Sequence, residues 1–224
     1  MSIADKLITI ADNTSAVAEA VNASKATVSG TVIRVDDVLD AEHELKVHAS
    51  AEVNVYGKNL IETESVDAEA DKSKVLFEGS INGNFVFSCL FDYTACGTPT
   101  AAQFEFTVDG AVQYMARGST DKVSKKLSGT LTRIRFLNWG YGVGTVEEIQ
   151  LEVGTVATEY ESYKKPQTAT ADADGKVEGL KSVSPTMTVV GTDVECTYFP
   201  TSAADTYEKY QQLKAAEVAL IESI

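Results

Sequence analysis

Residues 103–116 read QFEFTVDGAVQYMA, two runs of alternating apolar and polar residues on either side of Asp109-Gly110. A two-residue loop between antiparallel strands is best served by a type I′ turn, which needs positive φ at both central positions. Gly reaches such angles without a Cβ clash, and Asp tolerates them better than most residues. The stretch therefore predicts a β-hairpin. Working outward, VLFEGSI, FVFSCLFDY, LTRIRFL and EEIQLEV are further short runs rich in β-branched and aromatic residues. Polar and Gly-containing signals such as INGN separate them. Short strands with no helix between them predict an antiparallel β-sandwich or jelly roll over residues 57–165.

The β pattern continues on both sides. In residues 28–56, GTVIRV and ELKVHASAEVNVY read as strands separated by the acidic turn DDVLDAE. In residues 166–202, the polar stretch QTATADADGKVEG reads as a linker or turn. TMTVVG and DVECTYFP follow as two strands joined at Gly191-Thr192. The two outer segments can pair, which makes residues 57–165 an insertion into a small β stalk. Helices are expected at residues 1–27 and 203–224, and the fold class is mainly β. At the C-terminus Tyr210, Leu213, Leu220 and Ile224 share a helical face interrupted by Glu217. At the N-terminus Ile3, Leu7, Ile10, Thr14, Val17 and Val21 alternate spacings of four and three, the period of a coiled-coil seam. The same pattern also suits an amphipathic helix packed on its own domain.

Composition narrows the function. The formal net charge is −14, which repels phosphate backbones and anionic membrane surfaces, so neither nucleic-acid binding nor membrane insertion is expected. No apolar run approaches the ~18 residues of a membrane span. The opening MSIADKLITIADN lacks the basic start and apolar core of a signal peptide. Cys89, Cys96 and Cys196 lack metal-type spacing and read as reduced thiols of a protein made in a cytoplasm.

No catalytic constellation is apparent. GxSxG, HExxH, P-loop and Rossmann motifs are all missing from the chain, and no cofactor is expected. His43 and His48 are five apart on an expected strand and point to opposite faces. Asp36, Asp37 and Asp40 could ligate calcium, but without a Gly-centred loop they read as a solvated turn. Asp172, Asp174 and Gly175 loosely match an EF-hand loop without its later Glu, and also read as a turn. A carboxylate pair for glycoside hydrolysis could still be assembled from distant strands. One loop stands out: Asn138-Trp139-Gly140-Tyr141-Gly142-Val143-Gly144 carries the only Trp, flanked by Asn and by glycines that admit close approach of a ligand. Asn138, Trp139 and Tyr141 could form a carbohydrate-stacking site. Equally, Trp139 could plug the core at the end of its strand.

Three stretches carry a resemblance: residues 35–61 (VDDVLDAEHELKVHASAEVNVYGKNLI), 147–166 (EEIQLEVGTVATEYESYKKP) and 177–199 (VEGLKSVSPTMTVVGTDVECTYF). Together they resemble tail-associated and other virion proteins of phages and prophages of gut Firmicutes. In those proteins a segment running into YGKNL opens a carbohydrate-binding-module-like domain, and one like IQLEVGTVATEYESY closes it. The resemblance implies a galactose-binding-like jelly roll on a tail, baseplate or head-fibre protein of the virion. It also implies a homotrimer with other virion proteins as partners. Since the chain carries no catalytic motif, a non-enzymatic role with surface glycans as ligands is expected, or else a purely structural role that binds only protein. The resemblance is weakest over residues 65–135 and names no ligand residue. A surface-polysaccharide-degrading enzyme is less compatible with this length, since such enzymes generally need a longer β-solenoid.

The seam bears on the oligomer. Ile3, Ile10 and Val17 occupy one kind of seam position, and Leu7, Thr14 and Val21 the other. β-Branched a with Leu d favours two strands, whereas β-branched residues at both favour more. The first heptad leans to a dimer and the later ones to higher order, and the resemblance selects a trimer. Deleting residues 1–25 is expected to weaken a homotrimer in light scattering. A full-length chain that is monomeric at micromolar concentration would refute both trimer and seam.

Overall fold

A computed structural model describes residues 23, 25–36, 38–46, 51–92, 102–116, 122–138, 144–177, 186–200, 203, 205, 208–209, 211–212 and 215, with backbone alone for 38–46, 102 and 199. The described residues form two antiparallel six-stranded sheets. The helices expected over 1–27 and 203–224 fall largely outside them, as do Ile3, Leu7, Ile10, Thr14, Val17 and Val21.

The first sheet draws on both ends of the chain. It contains β1 (Ala26–Val35), β2 (Val38–Lys46) and β3 (Glu52–Tyr56), with β10 (Gln167–Thr170), β11 (Lys176–Val177) and β12 (Met187–Pro200). β12 is its spine. β1 pairs along one edge of it, while β3 takes the first part and β2 the last part of the other edge. Four expectations are corrected here. QTATADADGKVEG is not all linker or turn, because Gln167–Thr170 forms β10 and Lys176–Val177 forms β11. Ala26 and Thr27, expected to end the N-terminal helix, begin β1. Gly191-Thr192 does not separate two strands: β12 runs through it, with Asp193 at φ +48° where the strand kinks. DDVLDAE is not all turn either, because β2 begins at Val38 and includes Asp40. Ile33, Val35, Val53, Val55, Met187, Val189, Val194 and Cys196 alternate along these strands and form the core of this sheet.

The second sheet contains β4 (Val66–Asp67), β5 (Ser73–Asp92), β6 (Ala102–Val108), β7 (Ala111–Ala116), β8 (Lys122–Asn138) and β9 (Thr145–Val153). Its order is β4-β9-β5-β8-β6-β7. INGN, expected to be a turn between strands, lies within β5. β5 and β8 pair from Ser73 opposite Leu137 to Leu90 opposite Lys122, and midway Gly83 faces Gly129. Beyond that pair the partners change. Residues 85–92 of β5 add β9 on their other edge, and residues 131–138 of β8 add β6. The sheet thus folds over itself at the glycine pair, an arrangement consistent with a β-sandwich. One layer holds β4, β9, the end of β5 and the start of β8. The other holds the start of β5, the end of β8, β6 and β7.

Phenylalanines hold the layers together. Phe87 lies 4.7 Å from Phe104 and 5.1 Å from Phe106 between ring centroids, and Phe91 lies 6.0 Å from Phe104. All are buried with Phe85, Phe136, Leu131, Ile134, Ile149 and Leu151. Each such side chain stabilises the fold by roughly 1.5–3 kcal/mol through its burial. Cys89 and Cys196 are buried free thiols, and burial pushes Cys196 up to about 12 and Cys89 higher still. Both stay protonated and unreactive at neutral pH.

The hairpin that opened the sequence reading has the expected geometry. Asp109 and Gly110 have φ of +50° and +75°, between the paired residues Val108 and Ala111. Asp109 also ties this tip to the corner of β8. Its amide donates to the Thr130 carbonyl at 2.9 Å, and its Oδ1 accepts from the Thr130 amide at 2.8 Å. The carboxylate occupies the place a side chain at Gly129 would need, since a Cβ there would lie 2.1 Å from Asp109 Oδ2. Gly110 has open space instead. Gly110→Ala should cost only the left-handed backbone term of ~1–2 kcal/mol. Gly129→Ala should lose more than that in urea unfolding. Equal losses would show that the Asp109 contact does not govern the corner.

Candidate functional site

The two outer faces of the folded sheet are treated differently by the chain. On the β9 side, Gln150 and Glu152 point away from the phenylalanine core yet are both fully buried. Their partners come from residues 154–166, the segment that follows. Thr158 donates its amide and its hydroxyl to the two Glu152 carboxylate oxygens, each at 2.8 Å. Gln150 donates to Glu152 Oε1 at 3.0 Å and accepts from the Glu161 amide at 2.8 Å. The charge of Glu152 is met by Arg34 of β1, whose Nη1 reaches Glu152 Oε2 at 2.8 Å and the Val153 carbonyl at 3.0 Å. Burial works against the Arg34 charge. Hydrogen bonds and attraction to Asp36 and Glu152 outweigh it and hold the guanidinium above its ordinary value.

The opening segment is anchored in the same way. Asn59, fully buried, donates to the Ile149 carbonyl at 2.9 Å and accepts from the Ile61 and Leu151 amides at 3.0 and 3.1 Å. Its side chain thus stands in for a peptide group beside β9. Lys58 Nζ donates to the Glu159 carbonyl, and Glu64 accepts from the Tyr163 amide. Tyr56, Tyr160 and Tyr163 line this seam, and burial with nearby carboxylates raises each phenol above its ordinary value. The polar residues of YGKNL and of QLEVGTVAT are therefore engaged in holding the domain closed.

The loop singled out from the sequence is only partly described. Asn138 ends β8 and is buried; its amide nitrogen donates to the Ala68 carbonyl and its backbone N–H to the Lys72 carbonyl at 2.9 Å. One of its polar groups is thus committed to the fold. Trp139 and Tyr141 lie outside the described residues. The acidic clusters are engaged too. Asp36 accepts from Arg34 at 2.8 Å and Thr186 at 3.0 Å, and Asp172 Oδ1 accepts from the Asp174 and Lys176 amides at 2.9 and 2.8 Å. Among the described residues no group of three His, Cys, Asp or Glu side chains is placed to hold a metal ion. Among those residues, too, no helix is long and apolar enough to cross a membrane.

The opposite outer face is open. Across β7, β6, β8 and β5 one row reads Tyr114, Glu105, Arg135, Val75, and the next reads Val112, Thr107, Arg133, Glu78. Tyr114 is 53% exposed, Val112 51% and Val75 41%. Arg135 Nη2 pairs with Glu105 at 2.9 Å. Arg133 has no hydrogen bond or ion pair among the described residues, and its buried Nε is unpartnered. This aromatic-and-arginine face is the candidate site. Strand periodicity did single out QYMA and LTRIRFL as strands, but alternation alone does not tell which outer face the chain later covers.

No protein-family model matches this chain, and no curated protein or solved structure matches it either.

Removing the cation from the covered face gives a stability test. Arg34→Ala strands the Glu152 carboxylate in the interior, which is expected to cost ~3–5 kcal/mol in denaturant unfolding. An Arg34→Met, Glu152→Met double variant should recover part of that loss. If Arg34→Ala alone were neutral, the ion pair would not be holding the junction.

Proposed function

We propose that this chain is a non-enzymatic phage virion surface protein whose residues 57–165 form a jelly-roll carbohydrate-binding module. The module would ride on the β12-centred sheet of a homotrimer in contact with other virion proteins. The jelly-roll reading is supported by the strand order. Counted as two strands each at the glycine corner, β5 and β8 raise the six strands of their sheet to eight. The layers then run first-eighth-third-sixth and second-seventh-fourth-fifth, the layered order of two interleaved Greek keys. The opening and closing motifs of the resemblance also meet side by side on β9, as the ends of one module should.

One observation carries the binding reading: the half-exposed Tyr114 on an uncovered sheet face, beside the Glu105–Arg135 pair. A phenol ring offers a flat apolar surface for the C–H face of a sugar. Carboxylate, guanidinium and Thr107 groups nearby suit its hydroxyls. A second reading, a structural head-fibre, decoration or baseplate component that binds only protein, is favoured by Val75 and Val112 on the same face.

A glycan array separates the two. The wild-type chain is expected to bind host-envelope or gut glycans, and Tyr114→Ala should lose about tenfold or more, roughly 1.4 kcal/mol, with its melting temperature unchanged. Trp139→Ala, tested beside it, reports on the segment that follows Asn138 in sequence. An array with no glycan bound would favour the protein-binding reading.

A further inference from the structure

Lys72, Lys126 and Lys165 are exposed cations without an ion pair among the described residues, whereas Arg133 is unpaired and also has a buried Nε. The net charge is −14, with 33 acidic residues against 19 basic ones. Most described cations at the junction are matched: Arg34 with Asp36 and Glu152, Lys58 with the Glu159 carbonyl, Lys164 with Glu161. Arg133 has no such partner among the described residues. Its strand neighbour in β5 is Glu78, yet the two form no ion pair. The Nε atoms of Arg133 and Arg135 are both buried without a hydrogen bond. Buried polar atoms without partners are rare in native proteins.

Placement points the same way. Arg133 and Arg135 are two residues apart on β8 and so share the open face. Arg135 is neutralised by Glu105, which leaves Arg133 as the cation of that patch. Tyr114 lies two strands away in the adjacent row, roughly 10 Å across the strands and about 7 Å along them at ordinary sheet spacings. A ligand touching both must be longer than one pyranose ring and must carry an anion at one end. A guanidinium recognises a planar carboxylate through two parallel N–H donors.

From this juxtaposition we infer that the open face binds an acidic oligosaccharide, with Arg133 receiving the carboxylate of a uronic-acid-type residue while Tyr114 stacks on a sugar further along. This rests on the carbohydrate-binding reading above and deepens it. Glu78 and Glu105 are the acidic groups of the face. Glu78 opposes ligand entry at Arg133 by like charge, and Glu105 keeps Arg135 in place.

The test uses the full chain and isothermal titration with trigalacturonic acid, its methyl-esterified counterpart and a poly-glutamate peptide. The expected result is binding of the acid, at least about tenfold weaker binding of the ester, and no binding of the peptide. Arg133→Gln should remove the preference for acid over ester at unchanged melting temperature, Arg133→Lys should restore part of it, and Glu78→Gln should strengthen the acid. Acid and ester binding equally, or Arg133→Gln leaving the preference intact, overturns the inference while carbohydrate binding stands. Neither saccharide binding here, with no glycan on an array of neutral and acidic sugars, overturns both. Capture of poly-glutamate alone assigns the face to an acidic protein partner and overturns both as well.

Discussion

β5 and β8 stay paired over nearly their whole length, and a ribbon that long cannot remain flat while covering a core on one side. It has to bend, and two paired strands can bend sharply only where neither carries a side chain in the way. Gly83 opposite Gly129 is that place. The carboxylate of Asp109 fills the space beside Gly129, so the hairpin tip of one layer is pinned to the corner of both. Once the ribbon has folded, Phe87 and Phe91 come over Phe104 and Phe106, and their burial supplies the stabilisation that the corner alone could not.

The second constraint is a charge. Glu152 projects from β9 on the side away from the phenylalanines, and it is nonetheless wholly buried. A carboxylate buried there needs a cation and hydrogen-bond donors to offset its desolvation. Arg34, from the other sheet, therefore couples the two halves of the molecule, and Thr158 and Gln150 supply the remaining donors. Segments 57–61 and 154–166 lie side by side on β9 as the two crossings between the sheets. The junction combines these polar contacts with apolar ones: Val32 of β1 and Tyr56 of β3 pack against the phenylalanine core of the second sheet, which also takes in Leu60 and Ile61 of the crossing segment.

The proposed function builds on the asymmetry this creates. The chain spends its closing segment on one outer face and leaves the other uncovered. Tyr114, Val112 and Val75 are left half-exposed around Arg133, which has no ion pair among the described residues. The proposal of an acidic glycan ligand builds on that exposure.

The hairpin at Asp109-Gly110, the β-rich character of residues 28–56, 57–165 and 166–202, and the strands QFEFTV, AVQYMA and EEIQLEV were legible in the residues, because period-two alternation and turn chemistry are local properties. INGN and Gly191-Thr192 were misread for the same reason. A Gly in a strand signals a turn or a corner equally well, and only the pairing of both arms with shared neighbours distinguishes them. Asn138 is a candidate ligand group by its place beside Trp139, and only the tertiary structure shows that one of its amide hydrogens goes to Ala68, seventy positions away in sequence. Tyr114, Arg133 and Arg135 were visible as strand residues on one side of the pleat. That they are a surface, while Gln150 and Glu152 are an interior, was decided by tertiary structure alone. Alternation fixes which residues share a face, and only the path of the rest of the chain determines which face meets water.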